Sequence, residues 1–546
     1  MNWTHILGQG LFGEHGRPDG LYWNEDRSLM AVTSTFDSMQ WSARDLNGGL
    51  KVRRRVSIYR TESLSRLAVL DLRGPWPIND AAFRPGRNEL AIGRGSYDGG
   101  YLFEGELLLW DYENDVSRSL LDVSREVTAC RFDENGERLY MMLRPFSEEA
   151  EEGDPFETYE AYEMENPSAE GRVVAGELKP VPAEKTGIAE PYAEQDANAV
   201  LGLLQEMSRG DFEIRRRVWD IAWLGEREIA CVGGSRQLER WDLDTGRTGS
   251  WGSDSAGEAY ELIRAADGTL LVNCSKRELD GGMLKHRSTL LRWDADSGSC
   301  SAVLETDVPY SLSRNAAGVL LARDCSGSRR KGTGTRDFLL NGGFEREEDL
   351  NLGHYDLFNH YLRIDGAPGL YFLQGTPASS HEHKWVCAFE PSNSQVRRLF
   401  PLNTDSTERE HLMSDGGCFC TDELGESLVL AAGIHSYRPG RAADSEVLAR
   451  RALEDGKTLW ELRFGSPVTA VTFEPETRTV WFALAEGKLG CVDSASGRLL
   501  ALEDVSVEGI STVIMSLAPR GGRIAAGTIE GWILVGEASG ASAKFE

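Results

Sequence analysis

Short apolar stretches separated by polar turns run the length of the chain, and one pattern recurs. It opens with a short alternating strand, then a polar turn, then an apolar strand rich in Val, Leu and Ala. A third strand follows, often ending in Trp-Asp, and a Gly-containing turn leads to a fourth. The clearest copies are residues 218–251, 468–503 and 78–121. Weaker copies are 20–35 with 54–72, 127–143 with 159–178, 259–275 with 289–305, 310–324, 361–375 with 384–400, 417–433 with 446–463, and 513–537. The pattern predicts about ten units of about 55 residues each, slightly above the spacing of propeller blades.

A four-stranded meander cannot bury both of its faces alone. Stacking the units radially buries them and leaves only short protected edges. The turns agree. AspLeuAspThrGly at 242–246, AspAlaAspSerGly at 294–298 and AspSerAlaSerGly at 493–497 each place an Asp to cap the turn and a Gly to supply positive φ. With Trp-Asp at 110–111, 241–242 and 293–294, the units resemble the WD-repeat β-propellers. LEDGKTLW at 453–460 and GKLGCVDSASGRLL at 487–500 are similar to the repeats of quinoprotein-like propellers. The resemblance implies an all-β propeller of about ten four-stranded blades with a short helical insertion. It implies little about function, because propellers host many. Two ring counts fit. One is a single large ring closed by Trp3–Leu7 pairing with the last blade. The other is a seven-bladed ring over 214–546 with three further blades beside it.

Residues 146–196 interrupt the pattern with 15 acidic and 3 basic residues. Part of this stretch is expected to be strand, from Tyr159 to Glu165, and the rest a solvated loop. A helix is expected from about Pro191 to Arg209, with Gly210 as its stop. Val200, Leu203, Leu204 and Met207 fall on one face at i, i+3, i+4 and i+7. That face either packs on a blade or docks a partner. The chain thus divides into 1–180, 181–213 and 214–546. Other long loops lie at about 36–50, 325–336 and 435–445, and insertions of this kind map to a ring face.

Composition narrows the functions. The 546 residues carry a net charge of −28, which argues against a nucleic-acid binder or an anionic membrane surface. No run approaches the roughly 18 apolar residues of a spanning helix. MNWTHILGQGLFG lacks a basic and then apolar leader, so no signal peptide is expected. Nine scattered Cys, an odd number, read as reduced thiols in a cytoplasmic protein. The 49 Arg against 10 Lys are compatible with a GC-rich bacterial genome.

Candidate chemistry is sparse. GQGLFG at 8–13 matches a glycine-rich nucleotide loop, but no matching kinase residues follow and it does not join a strand to a helix; a turn is expected. His381 and His383 would share a strand face, with His354 and His360 nearby, yet no second ligand pair accompanies them. Cys418 and Cys420 point the same way and read as core thiols. There is no adjacent Cys pair for a quinoprotein cofactor and no Gly-X-Ser-X-Gly elbow. Arg329, Arg330, Lys331 and Arg336 lie in a Gly-rich loop and either neutralise nearby carboxylates or bind an anionic partner. No metal, cofactor or catalytic residue is expected. The expected role is a non-catalytic protein-interaction scaffold for a partner with a basic surface, such as a subunit of a bacterial assembly. The competing reading is an enzyme or small-ligand binder using the central channel.

Overall fold

A computed structural model describes residues 2–36, 53–74, 76–148, 154–167, 178–190, 195–265, 267–280, 283–294, 298–325, 336–353, 362–375, 384–402, 411–435 and 446–537. The fold is all-β. Antiparallel four-stranded sheets follow one another, together with one three-stranded sheet and one small hairpin; all but one of the sheets are built from strands consecutive in sequence. Burial within a blade explains its sequence. Second strands lie between neighbouring blades and are buried along their length, as in Thr479–Leu484. Fourth strands face water, as in Leu499–Asp504 and Gly246–Trp251. The Trp-Asp pairs end third strands. Trp110 is fully buried, while Asp111 and Asp242 each accept two backbone N–H bonds of the following turn.

The chain divides into two compact units. One joins residues 2–7 to 214–537 and contains seven blades. Their innermost strands are Arg216–Trp223, Glu258–Arg264, Tyr310–Arg314, a non-strand segment at 362–366, His411–Asp422, Val468–Glu474 and Ile514–Arg520. Among the described residues the fourth blade therefore shows three strands, Leu370–Gln374, Trp385–Glu390 and Gln395–Pro401. Apolar clusters bridge neighbours. Ile263 and Leu271 of blade 2 pack with Tyr310 and Leu312 of blade 3, and Val429 and Leu448 of blade 5 pack with Val480 and Phe482 of blade 6.

The ring closes on itself. Val218 and Ile221 of blade 1 share a core with Ala525, Ile533 and Val535 of blade 7. Across the same seam Ser516 Oγ donates to the Val218 carbonyl at 2.9 Å and Trp223 Nε1 to the Ala518 carbonyl at 2.8 Å. The outermost strand of blade 7 is Asn2–Leu7, paired antiparallel with Ile533–Glu537. The N-terminal strand thus completes a seven-bladed ring rather than a ten-bladed one, and covers an edge otherwise open to other chains.

The second unit comprises residues 10–37 and 51–213 and holds three blades. Blade A is Pro18–Trp23, Leu29–Phe36, Arg53–Arg60 and Arg66–Arg73. Blade B is Ile78–Phe83, Glu89–Tyr97, Phe103–Asp111 and Val116–Ser119. Blade C is Val127–Phe132, Arg138–Leu143, Glu160–Glu165 and Lys179–Pro180. One core joins A to B and another joins B to C.

The helix runs Ala197–Met207 and packs on the inner strand of blade A. Asp196 caps its start, accepting the Asn198 N–H at 2.9 Å, while the expected start at 191–194 lies outside the described residues. It stops before Arg209, which is itself left-handed with φ 55°. Just ahead of it, Gln195 bonds both backbone groups of Leu21, taking its N–H at 2.9 Å and donating to its carbonyl at 3.3 Å. Side chain and helix together cover the edge of blade A. The buried face is Val200, Leu201 and Leu204. Leu203 is 41% exposed and Met207 half-buried, so the expected stripe is rotated by one position. On the helical wheel 204 lies between 200 and 201, so 201 extends the buried face on one side while 203 falls on the other.

Candidate functional site

The ring channel is where residues of several blades converge. In many blades of both units the first strand pair carries a bulge near its start, as at Arg216/Asp220 and Ala259/Glu261 in the ring and Ile78/Asp80 in the three-bladed unit. A bulge re-aims the side chain that follows. Here each re-aimed carboxylate accepts a backbone N–H from the next blade. Asp80 takes Cys130 N at 2.8 Å, Asp220 takes Leu262 N at 2.8 Å and Glu261 takes Leu312 N at 3.0 Å. Burial pushes Asp80 up to about 6. It raises the fully buried Glu261 too, although Glu261 also accepts from Asn273 Nδ2 at 2.7 Å and Ser311 Oγ at 3.0 Å.

Arg363 comes from the irregular inner segment of blade 4, yet it bonds Asp220 of blade 1 and the Leu262 carbonyl of blade 2, the latter at 2.8 Å. Blades 4 and 1 are not neighbours in a ring of seven, so this side chain crosses the axis. It also binds Asp365, whose other oxygen accepts Arg314 N at 3.0 Å. Asp220, Glu261 and Asp365 are thus held by internal donors, in an arrangement that ties blades 1 to 4 together. Among the described residues no group of three His, Cys, Asp or Glu side chains could hold a metal. Between blades 2 and 3, Asn273, Ser288 and Tyr310 line a crevice with room for about one water.

A second cluster lies inside the three-bladed unit. Gly13–His15 form a short 3-10 turn after Phe12, whose ring packs on Tyr59 at 4.8 Å and Phe212 at 5.6 Å. Gly13 N bonds the Gly10 carbonyl at 2.9 Å, so the glycine-rich stretch turns on itself. Tyr59 Oη donates to Glu14, and Arg66 lies 3.2 Å from the same oxygen. Burial pushes Glu14 up, but His15, the Tyr59 hydroxyl and Arg66 outweigh it and hold it below the usual range. His15 is fully buried with Nδ1 2.8 Å from Ser34 Oγ, and burial pushes its imidazole down to about 4.

A pH dependence follows with a definite sign. The folded pKa of His15 is about 4, below the roughly 6.5 of an unfolded histidine, so between these values the unfolded state binds the extra proton. The contribution is complete above pH ~6.5 and declines as pH falls toward 4, by about 3 kcal/mol in all. Denaturant midpoints at pH 7 and 4.5 check this. The wild type is expected to lose more stability over that interval than His15→Gln, and equal losses would contradict it.

The most accessible chemistry sits where blades B and C meet. The connection after Tyr97 turns on Asp98, whose Oδ1 accepts the N–H groups of Gly100, Tyr101 and Leu102 at 2.7, 2.9 and 3.1 Å. Those backbone bonds hold Asp98 below its usual range. The turn delivers residues 101–103 against 146–148. Phe103 N donates to the Phe146 carbonyl at 3.1 Å and Glu148 N to the Tyr101 carbonyl at 3.2 Å. In such a ribbon Tyr101, Phe103 and Phe146 share a face. Phe156, set by its own N–H to Asp154 at 2.9 Å, packs edge-on against Tyr97 at 5.0 Å and Phe103 at 5.3 Å. Tyr97 Oη donates to Glu148 at 2.7 Å, which pushes the phenol up to about 12.

Tyr101 is 61% exposed, Phe146 50% and Phe156 46%, while the basic groups nearby are turned inward. Arg144 lies over the Tyr159 ring at 4.3 Å and donates to the Pro155 carbonyl at 3.3 Å. Arg125 binds Glu160 at 2.8 Å. Asp98, Asp154 and Glu157 are exposed around the rings, with Glu148 half-buried beneath them.

Sequence reasoning missed this surface by treating the acidic stretch as solvent loop. The signal was there: Tyr97, Tyr101, Phe103, Phe146, Phe156 and Tyr159 cluster around an Asp-Gly-Gly turn and a run of carboxylates. Of the residues singled out earlier, Val200 and Leu204 are interior, Met207 is half-buried and Leu203 faces water. Arg329, Arg330 and Lys331 lie outside the described residues, as do His354, His360, His381 and His383. Arg336 is described and is 3.0 Å from Asp307 and 3.6 Å from Asp324, a self-neutralising arrangement. None of the nine cysteines is joined in a disulfide. Cys418 and Cys420 share a strand, and burial pushes both thiols up, Cys420 to about 11. Neither a protein-family model nor a curated protein matches this chain.

Proposed function

We propose that this chain is a non-catalytic protein-interaction scaffold of the WD-repeat-like type, working in the cytoplasm as a subunit of a multi-protein assembly. The observation that carries the reading is the set of exposed rings at Tyr101, Phe146 and Phe156 within a carboxylate fringe. Monomers rarely leave such rings together in water unless something covers them. The channel offers less, because Arg363 already reaches Asp220 across it and holds Asp365 beside it.

The partner is a protein with a basic surface rather than nucleic acid or membrane. A net charge of −28 speeds encounter with such a partner and makes binding weaken with salt. Affinity purification of the full chain, read by mass spectrometry and repeated at rising salt, tests this. The expected result is a stoichiometric basic partner whose recovery falls as salt rises. A chain that captures no protein but is stabilised by a small molecule would move the site to the channel.

A further inference from the structure

The aromatic surface of the three-bladed unit fits one kind of occupant. We infer that Tyr101, Phe146 and Phe156 dock an extended cationic segment of a protein partner, with Arg or Lys side chains lying over the ring faces inside the carboxylate fringe. The inference rests on the scaffold reading and names its surface and chemistry.

Three observations favour a cation over a purely apolar ligand. First, ring faces attract cations, most strongly where neighbouring carboxylates add to the potential. Asp98 bonds the backbone N–H of Tyr101, Asp154 bonds that of Phe156, and the exposed Glu157 follows Phe156 in the chain. Second, the local cations are already engaged. Arg144 is held under Tyr159 and by the Pro155 carbonyl, and Arg125 by Glu160, so the outward charge stays negative. Third, the rings are held in place before any ligand arrives. Asp98 fixes the turn that carries Tyr101, and Phe156 is wedged between Tyr97 and Phe103. Preorganised rings lose little entropy on binding. A second copy of this chain is a poor occupant, since it would bring a like-charged patch to the same place.

The test separates ring contacts from the diffuse field of an acidic protein. Fluorescence anisotropy of the full chain is read with three labelled twelve-residue peptides: Arg-Gly repeats, Lys-Gly repeats and Glu-Gly repeats. The double variant Tyr101→Ser/Phe146→Ser removes two exposed rings and no charge. Both rings are at least half exposed, so the variant is expected to keep its thermal midpoint within a few degrees. It is expected to bind the Arg peptide about tenfold more weakly than wild type, the scale of two ring–cation contacts. A second variant, Asp154→Asn/Glu157→Gln, keeps the rings and is expected to lose affinity mainly at low salt. Equal binding of the Arg peptide by wild type and the ring variant overturns the inference, as does preference for the Glu peptide.

The scaffold reading has its own readout in the purified complex. A partner retained by Tyr101→Ser/Phe146→Ser leaves a scaffold whose docking surface lies elsewhere. No partner on the wild type removes the scaffold reading itself.

Discussion

Replacing Arg450 by Met is expected to lower the stability of the ring by about 3–5 kcal/mol, the range for a buried ion pair that loses one partner. Arg450 stands on the third strand of blade 5 with no side-chain exposure. It grips both oxygens of Asp422, at 2.6 and 2.7 Å, and donates to Ser427 Oγ at 2.7 Å and the Ser494 carbonyl at 2.8 Å. Ser494 belongs to blade 6 and returns a bond to Asp422 at 2.8 Å, while Trp460 Nε1 donates to the same carbonyl at 2.6 Å. The network therefore joins two blades. Met fills the volume but leaves Asp422, 1% exposed, as an uncompensated buried charge. Pairing Arg450→Met with Asp422→Leu is expected to recover part of the loss, because an apolar pair carries no such charge. Guanidinium unfolding measures both variants, and a cost below about 1 kcal/mol for Arg450→Met would rule out this assignment.

The second large effect concerns the strand that closes the ring. Deleting residues 2–7 is expected to cost on the order of 3–6 kcal/mol, from several ladder hydrogen bonds at about 1 kcal/mol each plus lost packing. Leu7 packs against the core shared by blades 1 and 7, and Thr4 Oγ1 donates to the Val535 carbonyl at 3.2 Å. The deletion bares Ile533–Glu537, whose residues are otherwise buried up to Glu537. An unpaired edge of this kind templates association with other chains. A lower thermal midpoint with concentration-dependent self-association in size-exclusion chromatography is the expected result. An unchanged midpoint would mean that the strand is ornamental.

Much of the blade architecture was legible in the sequence because its determinants are local. The apolar run of a second strand, the Trp-Asp ending and the Asp-to-Gly turn each act within a dozen residues, as at 228–246. What was not legible depends on distance. Pairing of Trp3–Leu7 with the last blade was among the expectations, but nothing near Asn2–Leu7 says that the ring it closes has seven blades rather than ten. The helix was found, but its described start at Ala197 is set by Asp196, which bonds Asn198 and was not read as a cap. Its face was shifted because Leu203 and Leu201 are equally apolar in a string, and only the packed inner strand of blade A distinguishes them. The aromatic surface was hidden for a similar reason. Tyr101 and Phe146 lie in different blades and meet only through the pairing of 101–103 with 146–148.

Hydrogen exchange read by mass spectrometry over 533–537 tests the closed ring most directly, comparing the full chain with one lacking residues 2–7. The account predicts that amides of this segment are protected in the full chain and that those facing Asn2–Leu7 exchange at least tenfold faster after the deletion, while those facing Arg523–Thr528 change less. Identical exchange in both chains would contradict closure by the N-terminal strand, and with it the division of the ten blades into seven and three.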